Sequence, residues 1–195
     1  MSPDKIYNVL IVGVGGQGII LASDVLGRVA ARHGYDVKKN EIHGMAQRGG
    51  SVSSHVRFGK KVNSPIIKAG EADVLLSFEQ METLRYFPFL AKNGQVILND
   101  QKILPPAVFT GQQEYPAGII EKIKEKAPKS VVVNGSEVAR EIGNPKVINV
   151  IFLGILSQYL DIPANVYEDV LKESLKPKLV DINLKAFHKG RSLAS

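Results

Sequence analysis

The chain has 195 residues, 44% hydrophobic and 23% charged, which suits one soluble globular domain over 1–195 with a full core. It contains no cysteine, so it cannot build a disulfide framework, a cysteine-ligated zinc site or an iron–sulfur cluster. The net charge is +6, but the lysines gathered at Lys122, Lys124, Lys126 and Lys129 and at Lys172, Lys176 and Lys178 have no aromatic residues among them, so they read as solvated faces and no nucleic-acid partner is expected.

Val9–Val12 is an apolar run bounded by glycine and reads as a short buried strand. Ile19, Ala22, Val25, Leu26 and Val29 then recur at helical spacing, with Asp24 and Arg28 paired on the opposite face and Gly34 as the stop. Asp36–Lys39 reads as a second, short strand. Val52, Ser54, Val56 and Phe58 alternate with Ser53, His55 and Arg57, the pattern of a half-exposed strand. Asp73–Phe78 is another buried strand, followed by a helix from about Glu79 that Pro88 disturbs and Gly94 stops. Val96–Leu98 is the next strand. Pro105, Pro106 and Pro116 mark an irregular stretch from Asp100, and helical spacing returns over Ile119–Lys126.

Val131–Val133 reads as a strand, with Ser136 as the cap of the helix after it. Val147–Leu160 is apolar on all sides and should be buried on more than one face. Pro163 opens a helix to about Leu175, and a short last helix near Asn183–His188 stops at Gly190. Strands alternating with helices predict an α/β, Rossmann-like, mainly parallel sheet with helices on both faces and a helical C-terminal third. No run approaches the roughly 18 to 20 apolar residues of a membrane span. Met1-Ser2-Pro3-Asp4-Lys5 lacks the basic-then-apolar plan of a signal peptide, so a cytoplasmic chain without a membrane partner is expected.

Two glycine-rich loops stand out. Gly13, Gly15 and Gly18 fit G-x-G-x-x-G between a strand and a helix, where a tight turn and a helix N-terminus can receive a phosphate; Gly16 and Gln17 lie between them. The same glycines also serve plain strand–helix packing. An acid that would hold an NAD ribose has only Asp36 and Glu41 as candidates, and neither is well placed. A P-loop is excluded because Ile19 stands where the phosphate lysine belongs. In the second loop, Arg48 joins a permanent cation to Gly49 and Gly50, whose backbone N–H groups can converge on an anion. That loop equally suits a surface position or packing on another subunit. If the strand order sets the loops side by side, both line one crevice at the carboxyl end of the sheet.

Catalytic and metal residues are not in evidence. His43 has the right chemistry for proton transfer, yet no carboxylate orients it in sequence; His33, His43, His55 and His188 lack the spacing of a metal pair.

These motifs resemble the gamma-type subunit of 2-oxoacid:ferredoxin oxidoreductases. The resemblance rests on Gly13–Gly18, on Arg48-Gly49-Gly50 before a strand, on Pro65 leading to Ala72-Asp73, and on Asn149, Gly154, Asn183, Phe187 and Gly190. It covers nearly the whole chain, and Glu41–Val52 is most similar to the beta subunit of the indolepyruvate type. The resemblance implies a larger partner subunit carrying thiamine diphosphate and iron–sulfur clusters, with ferredoxin as electron acceptor. The implied reaction is oxidative decarboxylation of an aryl 2-oxoacid with coenzyme A, to acyl-CoA, carbon dioxide and reduced ferredoxin. This chain has no Gly-Asp-Gly thiamine-diphosphate motif of its own. It is expected to be non-catalytic alone, closing the larger subunit's active site. Gly13, Gly15, Gly16, Gln17, Gly18, Arg48, Gly49 and Gly50 are the candidate contacts for coenzyme A at the subunit interface. The alternatives are a stand-alone NAD-binding dehydrogenase, a gamma subunit acting on pyruvate or branched-chain 2-oxoacids, and a scaffold whose glycines only pack.

Overall fold

The computed structural model describes residues 5–44 and 50–194. Six strands form one sheet in the order β2-β3-β1-β4-β5-β6. Their spans are β1 Tyr7–Val14, β2 Asp36–His43, β3 Ser51–Gly59, β4 Ala72–Ser77, β5 Leu90–Asn99 and β6 Val131–Val133. β1, β4, β5 and β6 pair in parallel. β3 runs antiparallel to both β1 and β2, so five strands share one direction and β3 opposes them. The sheet is mainly parallel, as predicted, with one reversed strand that periodicity could not reveal.

The helices are α1 Ile19–Arg32, α2 Gln80–Tyr86, α3 Pro106–Phe109, α4 Ile119–Lys126, α5 Gly135–Ile142, α6 Ile148–Leu156, α7 Ala164–Ser174 and α8 Pro177–Ser192. One face of the sheet carries Val9, Ile11, Leu76 and Ile97 into a core shared with α1, α5, α6, α7 and α8. Leu10, Val12, Leu75, Val96 and Leu98 point to the other face, beneath Ile67, α2 and α4. The predicted apolar stretch is confirmed, since α6 is buried at every residue from Asn149 to Leu156.

Several expectations are corrected. β3 is buried rather than half-exposed, because α1 covers Val52, Val56 and Phe58 while the Ile67 N–H bonds to His55 Nδ1 at 3.1 Å on the opposite face. Gly94 does not stop a helix. It lies inside β5, where a Cβ would stand 2.7 Å from the Ala72 carbonyl oxygen. Asn134, not Ser136, caps α5, its side chain accepting from Glu137 N–H at 3.2 Å. Asp24 pairs with Lys39 rather than Arg28, and Arg28 reaches Ser174. Gly190 is interior to α8, which starts at Pro177, not Asn183. It and Gly154 let two helix backbones meet: a Cβ on Gly190 would lie 1.9 Å from the Ile151 carbonyl oxygen, and one on Gly154 2.2 Å from that of Phe187.

Candidate functional site

β1 ends at Val14, and the chain must turn sharply to begin α1 at Ile19. Gly16 and Gly18 make that turn at φ of +101° and +82°, a region that side chains rarely enter. Gly18 is the N-cap of α1 and offers no side chain to its first turn, so the leading N–H groups stay available.

Gln17 does something the sequence did not reveal. Its side chain folds back, Oε1 accepting from Val14 N–H at 2.7 Å and Nε2 donating to the Phe78 carbonyl at 2.8 Å. It thereby ties the ends of β1 and β4. A Cβ on Gly13 would sit 2.7 Å from that same Oε1, so Gly13 makes room for Gln17. Asn99, at the end of β5, donates to the Phe78 carbonyl at 3.1 Å, and both it and Gln17 donate to Gln101 Oε1. Asn99 Oδ1 accepts from Gly135 N–H at 3.0 Å. Asn99 and Gln101 were missed in sequence; polar residues just beyond the apolar run Val96–Leu98 were the available signal.

The second loop leaves β2 at Gly44 and returns at Gly50. Arg48 and Gly49 lie outside the described residues. The stems are defined: Gly44 N–H donates to the Ser51 carbonyl at 2.8 Å, and Gly15 N–H to the Gly50 carbonyl at 2.9 Å. The strand order therefore does bring Gly50 beside the first loop. Beneath them, Glu82 of α2 is buried, accepts from the Ser51 hydroxyl and pairs with Arg85 Nε at 3.2 Å. Nearby Glu79 caps α2 and also accepts from Ile103 N–H at 3.1 Å and the Tyr115 hydroxyl at 2.6 Å. Burial first, and then the Glu79 carboxylate, push the Tyr115 phenol well above its ordinary range.

Two clefts flank the first loop. One, of about 410 Å³, runs from Gly16 and Gly18 past Gln101 to Lys146 and Asn149. The other, about 650 Å³, is more apolar and lies between Gly15, Ile19, Ile20, Val52 and His43. His43 has a carboxylate neighbour after all: Glu41, two residues away on the same strand face, places Oε2 3.5 Å from its Nε2. That carboxylate is shared with Lys39 at 2.6 Å.

The NAD reading loses its ribose acid here. Asp36 sits at the opposite end of β2 from the loop, bound to Lys38 and to Val62 N–H, which hold its carboxyl below the usual range. Glu41 is at the correct end, but β3 stands between β1 and β2, so the two are separated by about 10 Å, two strand spacings. The lysines from Lys122 to Lys129 are exposed, in keeping with a solvated face. Among the described residues no helix is long and apolar enough to cross a membrane, and no group of three or more His, Asp or Glu gathers at metal-binding distance.

Comparison with known proteins decides the lineage. Residues 8–193 match the family described as pyruvate ferredoxin/flavodoxin oxidoreductase. The chain belongs to that family. Among its relatives, the indolepyruvate oxidoreductase subunit IorB of Archaeoglobus fulgidus is 44% identical over 96% of this chain and 94% of its own length. The same fold occurs in the gamma subunit of a keto/oxoacid ferredoxin oxidoreductase from Geobacter sulfurreducens, with TM-score 0.70 and 21% identity over 96% of this chain and 98% of that one. It occurs again in a 2-oxoglutarate:ferredoxin oxidoreductase of Magnetococcus marinus, solved with 2-oxoglutarate, coenzyme A and succinyl-CoA, with TM-score 0.74 and 22% identity. There it covers 97% of this chain but 31% of the longer one. Family members are subunits of 2-oxoacid:ferredoxin oxidoreductases, so the chain is part of an oxidoreductase.

Proposed function

We propose that this chain is the non-cluster subunit of an aryl-pyruvate ferredoxin oxidoreductase. It docks the glycine-loop end of its sheet on a larger subunit that carries thiamine diphosphate and iron–sulfur clusters. The complex oxidatively decarboxylates indolepyruvate-type 2-oxoacids with coenzyme A, releasing carbon dioxide and acyl-CoA and reducing ferredoxin. The observation that carries this reading is the 44% identity, over nearly both full lengths, to an indolepyruvate oxidoreductase subunit. A chain without cysteine must leave cysteine-ligated clusters to a partner. The fold's recurrence as 31% of a longer chain fits a unit that works in contact with other domains.

In this reading the chain's own task is to bind and to exclude water. Gly13, Gly15, Gly16, Gln17, Gly18, Arg48, Gly49 and Gly50 form the coenzyme A contact region. Gly16 and Gly18 present backbone N–H groups and the positive end of α1 to the diphosphate, while the Gly15 N–H holds the Gly50 carbonyl and so keeps the two loops together. Gln17 and Gly13 brace the loop from behind through the Val14 and Phe78 bonds. Arg48 supplies a two-pronged cation. Replacing Arg48 with Ala in the assembled complex should raise KM for coenzyme A while leaving KM for the 2-oxoacid in place. An unchanged KM for coenzyme A would remove Arg48 from the site.

A further inference from the structure

We propose that two copies of this chain pair through the outer edge of β2, antiparallel about a two-fold axis at Asn40. β2 ends the sheet, and among the described residues no strand pairs with its outer edge. The two edges of the sheet are protected differently. β6, at the far side, has three residues, too few to template a neighbour. β2 has eight, Asp36–His43, and so presents a long row of outward N–H and C=O groups. Of the described elements only β3 and α1 pack substantially against it: β3 takes the inner edge, and α1 takes the face that carries Val37 and Lys39. Lysines commonly keep such an edge from pairing, and Lys38 and Lys39 stand mid-strand here. Both are neutralised within the chain. Lys38 Nζ is 2.7 Å from Asp36, and Lys39 is held by Asp24 and, at 2.6 Å, by Glu41. The lysines of β2 are balanced by its own Asp36 and Glu41, so a second copy meets no net repulsion from the strand.

Symmetry then fixes the register. Directly opposed residues of an antiparallel pair point to the same face, and an axis normal to the sheet keeps each face on its own side. Opposed residues therefore lie an even number apart, and the axis passes through a residue. Centring on Lys38, Lys39 or Glu41 sets like charges face to face. Centring on Val37 or Ile42 engages only one end of the strand. Asn40 on the axis engages Val37 to His43: Lys39 opposes Glu41 of the second copy, Lys38 opposes Ile42, and Val37 opposes His43. Two cross-strand ion pairs result. Ile42, 49% exposed, gains the Lys38 stem as cover. The Asn40 side chain, which bonds no described group, meets its own image, and two amides can exchange donor and acceptor. The product is one sheet of twelve strands, six from each copy. The pairing uses the side of the sheet and requires nothing of the proposed reaction.

The chain has no cysteine, so single substitutions in the full chain test the register cleanly. Directly opposed residues have Cα atoms about 4.5–5.5 Å apart, within disulfide reach. Asn40→Cys should link to its own copy under mild oxidation. Lys38→Cys and Ile42→Cys, each about 14 Å from its own image in this register, should not link alone yet should link to each other when mixed. In sedimentation equilibrium the unaltered chain should dimerise. Asn40→Lys, which sets like charges on the axis, should raise the dimer Kd by about fivefold with an unchanged circular dichroism spectrum. Asn40→Cys linking no faster than the other two would overturn the register. An unaltered chain that stays monomeric at every concentration, or equal dimerisation by Asn40→Lys, would overturn the pairing. If the larger subunit shields the thiol of Asn40→Cys from alkylation while no link forms, the edge belongs to that subunit and the proposal fails.

Discussion

Two glycine-to-alanine substitutions in helices should move stability in opposite directions, and the structure fixes both signs. A methyl group on Gly190 would sit 1.9 Å from the Ile151 carbonyl oxygen and 2.8 Å from its carbon. Ordinary carbon–oxygen contact needs about 3.3 Å, so α8 and α6 must part by roughly 1.4 Å. The obstacle is backbone and cannot rotate away. Overpacking of a tight core costs about 1–3 kcal/mol, and a rigid obstacle puts this site near 3. Alanine's better helix propensity returns about 1 kcal/mol, leaving a net loss of about 2 kcal/mol. For a chain of this size that lowers Tm by about 4–8 °C. Gly27, inside α1, is the counterpart: its Cβ would meet Val37 at 3.9 Å, an ordinary contact. Gly27→Ala should therefore gain up to about 1 kcal/mol and raise Tm by about 2–4 °C. Thermal unfolding followed by circular dichroism reads both. Equal shifts of the same sign, or an unaltered Tm for Gly190→Ala, would refute the close-crossing argument.

Further expectations follow from the site. Gln17→Ala removes acceptor and donor from Val14 N–H and the Phe78 carbonyl; with partial replacement by water it should cost about 1–2 kcal/mol in urea unfolding. Glu79→Ala strips the cap of α2 and the anchors of Ile103 and Tyr115, so trypsin should cut at Lys102 far faster than in the unaltered chain while the rest of the fold persists. His55 is buried and burial holds its pKa below the ordinary 6.5. The unfolded chain then takes up a proton first, so stability contributed by neutral His55 is complete above about pH 6.5 and is lost as pH falls toward the depressed folded value. His55→Asn should flatten that part of the stability–pH curve, and an unaltered slope would assign it elsewhere.

The βα turn at Gly13–Gly18 and the buried strands were legible because a glycine cluster after an apolar run has few other uses. Pairing direction was not legible: the alternation of Val52, Val56 and Phe58 with Ser53 and His55 says nothing about what covers the second face, and β3 proved to be inserted between β1 and β2. Glycine was also ambiguous. At Gly34 it follows the end of α1 with φ of +95°, as expected, whereas at Gly94 and Gly190 the same letter marks a close backbone approach. The amide network escaped notice because its members are far apart in sequence, Gln17 and Gln101 by 84 positions.

The central claim is tested most directly by turnover of indolepyruvate with coenzyme A and ferredoxin, using the separately purified larger subunit with and without this chain. Acyl-CoA formation and ferredoxin reduction are expected only when both are present. Equal turnover without this chain, or no association between the two, would contradict it.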